Sequence, residues 1–283
     1  MSIWTLQKRS KRSEEGCDLK DKNDMTQEER CIYLIRTMQK EMPQYRGIVI
    51  PEEGAEQKRL LRSLMNVRPP MPASSDFLAV QDMYLSEENA ARGILDGAEL
   101  APVKGNSRIC LWQGDITRLK TGAIVNAANR ALLGCFRPCH SCIDNIIHTC
   151  AGIQLRLACN EIMEAQGCEE PAGSAKLTPG FNLPCDFILH TVGPVITGPL
   201  QRTDCRMLAD CYRSCLELAA ENHITSVAFC CISTGVFRFP QERAAEIAVE
   251  TVAGFLEQNE SVRQVIFDVY TDKDMAIYRR LLK

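Results

Sequence analysis

No stretch of this chain approaches the roughly 20 consecutive apolar residues of a membrane span. Its start, MSIWTLQKRSKRSEEG, lacks the apolar core of a secretory signal. Neither sign of charge dominates: 33 Lys and Arg stand against 36 Asp and Glu, a formal net charge of −3. That balance gives no electrostatic reason to expect nucleic acid or an anionic membrane as partner. No internal repeat is visible. On these absences a cytosolic protein is expected. Cysteine is what the chain has in plenty, 15 among 283 residues, and in the cytosol these should be thiols rather than disulfides. The odd count agrees. Many read as small core residues: Met207, Leu208, Cys211, Cys215, Leu218 and Ala219 fall at helical spacing.

The length has room for one large domain or two unequal ones. Residues 1–24 mix charges of both signs with Ser, Asn and Gly and read as a disordered tail, the basic KRSKR (8–12) included. Residues 25–104 read as a helical N-terminal extension and linker. Cys31, Ile32, Leu34, Ile35 and Met38 mark one amphipathic helix; Leu60, Leu61, Leu64 and Met65 mark another, stopped by the prolines of RPPMP. GILDGAELAPVKGNSR (93–108) has linker composition. From residue 105 the texture changes. The apolar strands RICLWQ, AIVNAA, AKLTPG, FILHTVG, SVAFCCIS and VRQVIFDVY alternate with helical runs at about 142–166, 203–222, 240–258 and the C-terminus. That alternation predicts an α/β domain over 105–283, a mixed and mostly parallel sheet between two helical layers.

In such sheets ligands bind beyond the carboxyl ends of the strands. Those ends carry Asp115 in QGDIT, Asn126 and Asn129 in NAAN, and the Ser-Thr-Gly turn of STGVFRFP, whose amides suit an anion. Each alone is ordinary turn chemistry; their common position on one sheet edge is the signal. Between the second and the next helix lies GCFRPCHSCIDN (134–145), with three cysteines and one of the chain's four histidines. Cysteine and histidine at such spacing suit Zn2+.

GDIT, AIVNAAN, LLG…CIDNIIHTCAG, HTVGP and ISTGVFRFP, in this order, resemble the motifs of macrodomains, an ADP-ribose-binding α/β fold. The match covers residues 110–283. The cysteine-rich insert and the extension MNVRPPMP…FLAVQDMYL resemble one microbial branch, the zinc-containing macrodomains linked to sirtuin-class ADP-ribosyltransferases and lipoyl-carrier proteins. The resemblance implies a hydrolase that removes mono-ADP-ribose from modified protein. By the same resemblance Asp115 accepts the adenine amino group, and Ile116 holds the ligand beside it. Asn126 and Asn129 lie on the ligand, Asn129 at the distal ribose with a share in catalysis. Ser233, Thr234, Gly235, Val236 and Phe237 wrap the diphosphate, and Tyr270 flanks the adenine.

The resemblance names Cys135, His140 and Cys142 as ligands of one Zn2+, leaving a fourth position open to water or a substrate hydroxyl, as in catalytic sites. The alternative adds Cys139 and closes a structural Cys3His site. Asp144 likewise has two readings. Aligned with the family's catalytic aspartate it activates or orients water; in Ser141-x-x-Asp144 it completes a capping box at a helix start. His148, one helical turn on, either orients Asp144 or is a satisfied core histidine. His190 and His223 read as structural. The rival to the enzyme is a non-catalytic module that reads ADP-ribose, with the zinc loop as a structural clip.

Overall fold

Two apolar clusters organise the chain. The computed structural model describes residues 24–283; the tail reading and KRSKR lie outside the described residues, Asp24 excepted. The smaller cluster belongs to three helices. Helix α1 (Gln27–Glu41) begins at a capping box in which Thr26 and Glu29 satisfy each other's backbone amides. Helix α2 (Gly54–Val67) ends at Arg68, where two prolines follow. Helix α3 (Ser75–Ala91) is capped by Ser74. Together they bury Leu34, Ile35, Met38, Leu61, Leu64 and Phe77, with Ile153 of the following domain inserted among them.

The sequence pattern did not mark α3. Its buried face includes Gln81 and Asn89, which blur the apolar period. Both are satisfied across the seam. Gln81 accepts from Ile153 N at 2.9 Å, and Asn89 donates to the carbonyl oxygens of Cys150 at 3.1 Å and Asn182 at 2.6 Å.

The expected linker is partly strand. Strand β1 (Leu95–Asp96) pairs in parallel with β4 (Leu119–Lys120), and β2 (Pro102–Val103) forms the edge of the main sheet. Two-residue strands are too short to show a period, and Pro102 is tolerated because the strand is at an edge. The main sheet also contains β3 (Asn106–Gln113), β5 (Ala123–Ala127), β6 (Ala175–Pro179), β7 (Phe187–Thr191), β8 (Ser226–Phe229) and β9 (Gln264–Val269). Its order is β2-β3-β9-β8-β5-β7-β6. The outer pairs are antiparallel and every inner pair is parallel, the mixed, mostly parallel sheet expected.

Alternation along β7 shows the two helical layers, since successive side chains leave a strand on opposite faces. His190 meets Cys159 of helix α5 (Ile153–Gln166), whereas Thr191 meets Cys211 of helix α6 (Arg202–Glu221). Helix α4 (Ile143–Ala151) lies with α5; α7 (Gln241–Gln258) packs on α6, and α8 (Asp272–Leu281) on α7. The single helix expected over 142–166 is therefore two. Gly152 sits at φ +102°, outside helical space, and turns the chain between them. Among the described residues no helix is long and apolar enough to cross a membrane. Because β3, β5, β8 and β9 run in parallel, their carboxyl ends gather Asp115, Asn129, Ser233 and Tyr270 on one edge.

Arg68 joins α2 to α1: its guanidinium, 1% exposed, pairs with Glu41 at 2.7 Å and donates to the carbonyl oxygens of Met71 and Pro72. Removing one partner of a buried pair strands the other and costs about 3–5 kcal/mol, whereas exposed pairs contribute about 0–1 kcal/mol. Chemical denaturation should therefore show Arg68→Ala losing several-fold more stability than Lys58→Ala, whose pair with Glu88 is solvent-facing. Equal small losses would mean that the extension is not anchored through Arg68.

Candidate active site

At one end of the strand-edge crevice Asp115 caps a short 3-10 turn (Ile116–Arg118). Its Oδ1 accepts from Thr117 N at 3.0 Å and Thr117 Oγ1 at 2.6 Å. Its Oδ2 accepts from Arg92 Nη1 at 3.0 Å. A carboxylate oxygen offers two lone pairs, so one acceptor position remains, on Oδ2. Arg92 stands just past the end of α3, and nothing in its local pattern marks it. Beneath lies Asp268 of β9, whose buried Oδ1 has no hydrogen-bond partner among the described residues; burial and the nearby Asp115 push its pKa well above the carboxylate range. Ile116 is buried, and Tyr270 stands 80% exposed at the end of β9.

At the other end a buried network surrounds Asp144. Its Oδ1 accepts from Asn126 Nδ2 at 2.9 Å and its Oδ2 from Asn129 Nδ2 at 3.1 Å. Asn129 also donates to Gly134 O at 3.0 Å. Asn126 is fully buried, and its side chain holds Asp144. β5 pairs Asn126 with His190 across to β7, and their side chains meet at 3.1 Å; His190 Nε2 faces Thr178 Oγ1 at 2.9 Å. Burial raises the Asp144 pKa to about 6, against the lowering effect of both asparagine donors. The capping-box alternative does not form: Cys142 is the N-cap of α4, with no side-chain cap bond.

His148 lies with Nε2 3.5 Å from Asp144 Oδ1, but outside hydrogen-bond geometry, and both nitrogens lack a hydrogen-bond partner among the described residues. Burial pushes its pKa well below the usual histidine value. It acts here as a packing surface. Gly134, at φ +75°, presses its backbone on the ring, where a Cβ would lie 2.8 Å from His148 Cγ.

The loop between β5 and α4 brings Cys135 Sγ, His140 Nδ1 and Cys142 Sγ within 4.8 Å of one another. Cys135 Sγ and His140 Nδ1 are 3.6 Å apart. Tetrahedral Zn2+ with bonds of about 2.3 Å to sulfur and 2.0–2.1 Å to nitrogen sets such an edge at roughly 3.5 Å, so the donor set fits that ion. Burial, with Cys135 and Asp144 nearby, pushes the Cys142 thiol up to about 11; coordination to a cation deprotonates such a thiol outright. Cys139 is not part of the cluster. At φ +52° it turns toward α2, its sulfur 3.2 Å from Ser63 Oγ and 3.5 Å from Arg59 O. The closed Cys3His alternative lacks its fourth donor. Arg156 of α5 supports the loop from below. It donates to Leu133 O at 2.7 Å and to the carbonyl oxygens of Met65 and Arg68, and it lies 4.2 Å from the Phe136 ring centre.

Residues Ser233, Thr234, Gly235, Val236 and Phe237 form the loop after β8. It closes on itself through Arg238 N to Gly235 O at 3.0 Å and Phe239 N to Ser233 O at 3.0 Å, and Ile196 N donates to Phe237 O at 2.9 Å. Positive φ falls at Ser233 and Arg238, not at Gly235. A Cβ on Gly235 would meet nothing within 4 Å, so its backbone borders open space.

A family model, the Macro domain, matches residues 125–248. The protein-ADP-ribose hydrolase of Treponema medium is 56% identical over 260 residues, spanning 91% of this chain and 100% of that relative. The protein of the same name from Staphylococcus aureus strain MSSA476 is 50% identical over 248 residues, 87% of this chain and 92% of that relative. The solved Trypanosoma brucei macrodomain in complex with ADP-ribose is 29% identical with a TM-score of 0.61, covering 78% of this chain and 95% of that one. The chain belongs to the macrodomain family.

The buried His190 gives a test of the network. Burial lowers its pKa from 6.5 to about 3. The folded value lies below the unfolded one, so acid favours the unfolded state, which takes up the extra proton. Stability is lost from about pH 6.5 downward, at about 1.4 kcal/mol per pH unit for one group. Asp144, shifted upward, changes stability in the opposite sense, so the difference between variants isolates the histidine. His190→Gln should flatten the acid decline of unfolding free energy by about that slope between pH 6.5 and 4.5. Parallel profiles would place a proton on His190 in the folded protein.

Proposed function

We propose that this protein is a zinc-dependent hydrolase that removes mono-ADP-ribose from modified protein. The observation that carries this reading is the juxtaposition of a buried, doubly held carboxylate, Asp144 in the first turn of α4, with the three-donor cluster Cys135, His140 and Cys142 on the loop that leads into that helix. Two relatives named protein-ADP-ribose hydrolase, each matching this chain over at least 87% of its length, support the activity.

The residues divide the work by position. Asp115 offers its one remaining acceptor position to the adenine amino group, and Arg92 and Thr117 hold it at the required angle. The loop from Ser233 to Phe237 presents backbone amides to the diphosphate, which bind an anion without a countercharge. Asn129 stands at the distal ribose. Asp144 receives one amide proton on each oxygen, which leaves a lone pair on each for water. In this water-poor position it orients the attacking water and takes its proton. Cys135, His140 and Cys142 would hold Zn2+, which would supply a Lewis acid. A structural clip for a passive reader needs a closed coordination shell, and the turned-away Cys139 argues against one. The acceptor we assign is a lipoyl-carrier protein modified by a sirtuin-class transferase, on the family resemblance of the insert and extension.

Release of labelled ADP-ribose from mono-ADP-ribosylated carrier protein tests the reading. Loss of a general base costs about 10²–10⁴ in rate. Asp144→Ala should lose that much while keeping wild-type zinc content and ADP-ribose affinity. Hydrolysis at the wild-type rate by folded, metal-free protein would refute zinc dependence. Preference for an unrelated modified protein would refute the carrier assignment alone. At the other end of the crevice, Asp115→Asn keeps the shape but replaces a charged acceptor, an interaction of about 1.5–3 kcal/mol. Calorimetry should show ADP-ribose bound about tenfold more weakly or worse; unchanged affinity would place the adenine elsewhere.

A further inference from the structure

We propose that helix α2 of the N-terminal extension is the clamp that sets the donor geometry of the Cys135–Cys142 loop, with Arg62 as its main positioning residue. The inference rests on the zinc reading above and extends it to residues that touch neither metal nor substrate.

Arg62 Nη2 donates to His140 O at 2.8 Å and to Asn145 Oδ1 at 2.9 Å. Asn145, fully buried at the start of α4, passes that hold onward, donating to Cys135 O at 3.1 Å and Arg137 O at 3.0 Å. One guanidinium thus fixes, directly or through one amide, the backbone of two of the three donors. Four residues along α2, Asn66 Oδ1 accepts from Cys139 N at 2.9 Å, and its Nδ2 donates to Thr149 Oγ1 at 3.0 Å. Thr149 closes the circuit with a bond to Asn145 O at 2.7 Å. On the same side of the helix Arg59 O and Ser63 Oγ hold the Cys139 sulfur. Residues 59, 62, 63 and 66 share a helix face by spacing; Leu61, Leu64 and Met65 line the opposing face in the three-helix cluster.

The loop contributes little of its own fixation. Within it the backbone bond is His140 N to Arg137 O, long at 3.3 Å. Cys139 held at positive φ is the consequence of the clamp: Ser63, Arg59 and Asn66 draw it toward α2. That turn sets His140 and Cys142, on its far side, opposite Cys135. The helices of the extension therefore exclude the fourth cysteine from the cluster and orient the other donors.

Partners that orient metal ligands typically contribute 10- to 100-fold to metal affinity. The test uses the full chain and zinc alone, with affinity read by competition against a chromogenic chelator and site geometry read from the visible bands of Co2+-loaded protein. Arg62→Ala should weaken zinc by about 10- to 100-fold and shift or broaden the Co2+ bands, with circular dichroism and ADP-ribose affinity near wild type. Arg62→Lys, whose shorter side chain still carries N–H donors, should recover part of the loss. Arg46→Ala, on the exposed side of the extension, should change nothing. If Arg62→Ala does not fold, Asn66→Ala carries the test, with the same direction of change. Wild-type zinc affinity and Co2+ spectra in a folded Arg62→Ala or Asn66→Ala variant would overturn the clamp while leaving the zinc reading intact. Failure of wild-type protein to hold zinc would overturn both.

Discussion

A carboxylate out of water is costly unless donors replace the lost hydration, and the placement of Asp144 sets the terms for everything around it. Two donors come from one segment, Asn126 inside β5 and Asn129 just beyond it. Both are available because a parallel strand ends there and its chain turns outward over α4. With one amide on each oxygen the carboxylate is fixed in plane and in direction. Its raised pKa records that two donors only partly offset burial. The neighbouring His148 and His190, both buried and held neutral, add packing and polarity without adding charge. The surroundings of Asp144 thus keep it oriented, with the Arg156 guanidinium as the charge that acts on it and favours its ionised form.

The helical extension is fastened to the α/β domain at both ends of the crevice. At one end Arg92 pairs with Asp115; at the other α2 grips the cysteine loop. Gln81 and Asn89 seal the seam between them with bonds to the segments flanking Gly152. This arrangement ties the stability of the extension to the geometry of the site. A disturbance in the three-helix cluster should be felt at the loop before it is felt in the sheet.

What the sequence revealed and concealed follows from range. Asp115, Asp144 and the Cys135, His140 and Cys142 cluster each lie in a short motif whose chemistry is local, so their positions were legible. The order of strands and helices was legible for the same reason: apolar period is a property of contiguous residues. Arg62 and Asn66 act on residues 73 or more positions away, and nothing in the local pattern of α2 distinguishes them from solvent-facing side chains. The contact of Asn126 with His190 was not legible either, because it depends on how β5 registers with β7. The exclusion of Cys139 was invisible for a related reason. Its spacing fits a metal site as well as that of its neighbours, and the difference lies in a backbone turn imposed by another helix.

The proposed open metal site has three donors, with Asp144 beside them, at the distal end of the crevice. Anomalous diffraction at the zinc edge from crystals grown with zinc and ADP-ribose tests it most directly. The account predicts one peak within bonding distance of Cys135 Sγ, His140 Nδ1 and Cys142 Sγ, with the distal ribose between that peak and Asp144. A peak coordinated by Cys139 Sγ as well, or a distal ribose lying away from Asp144, would contradict it.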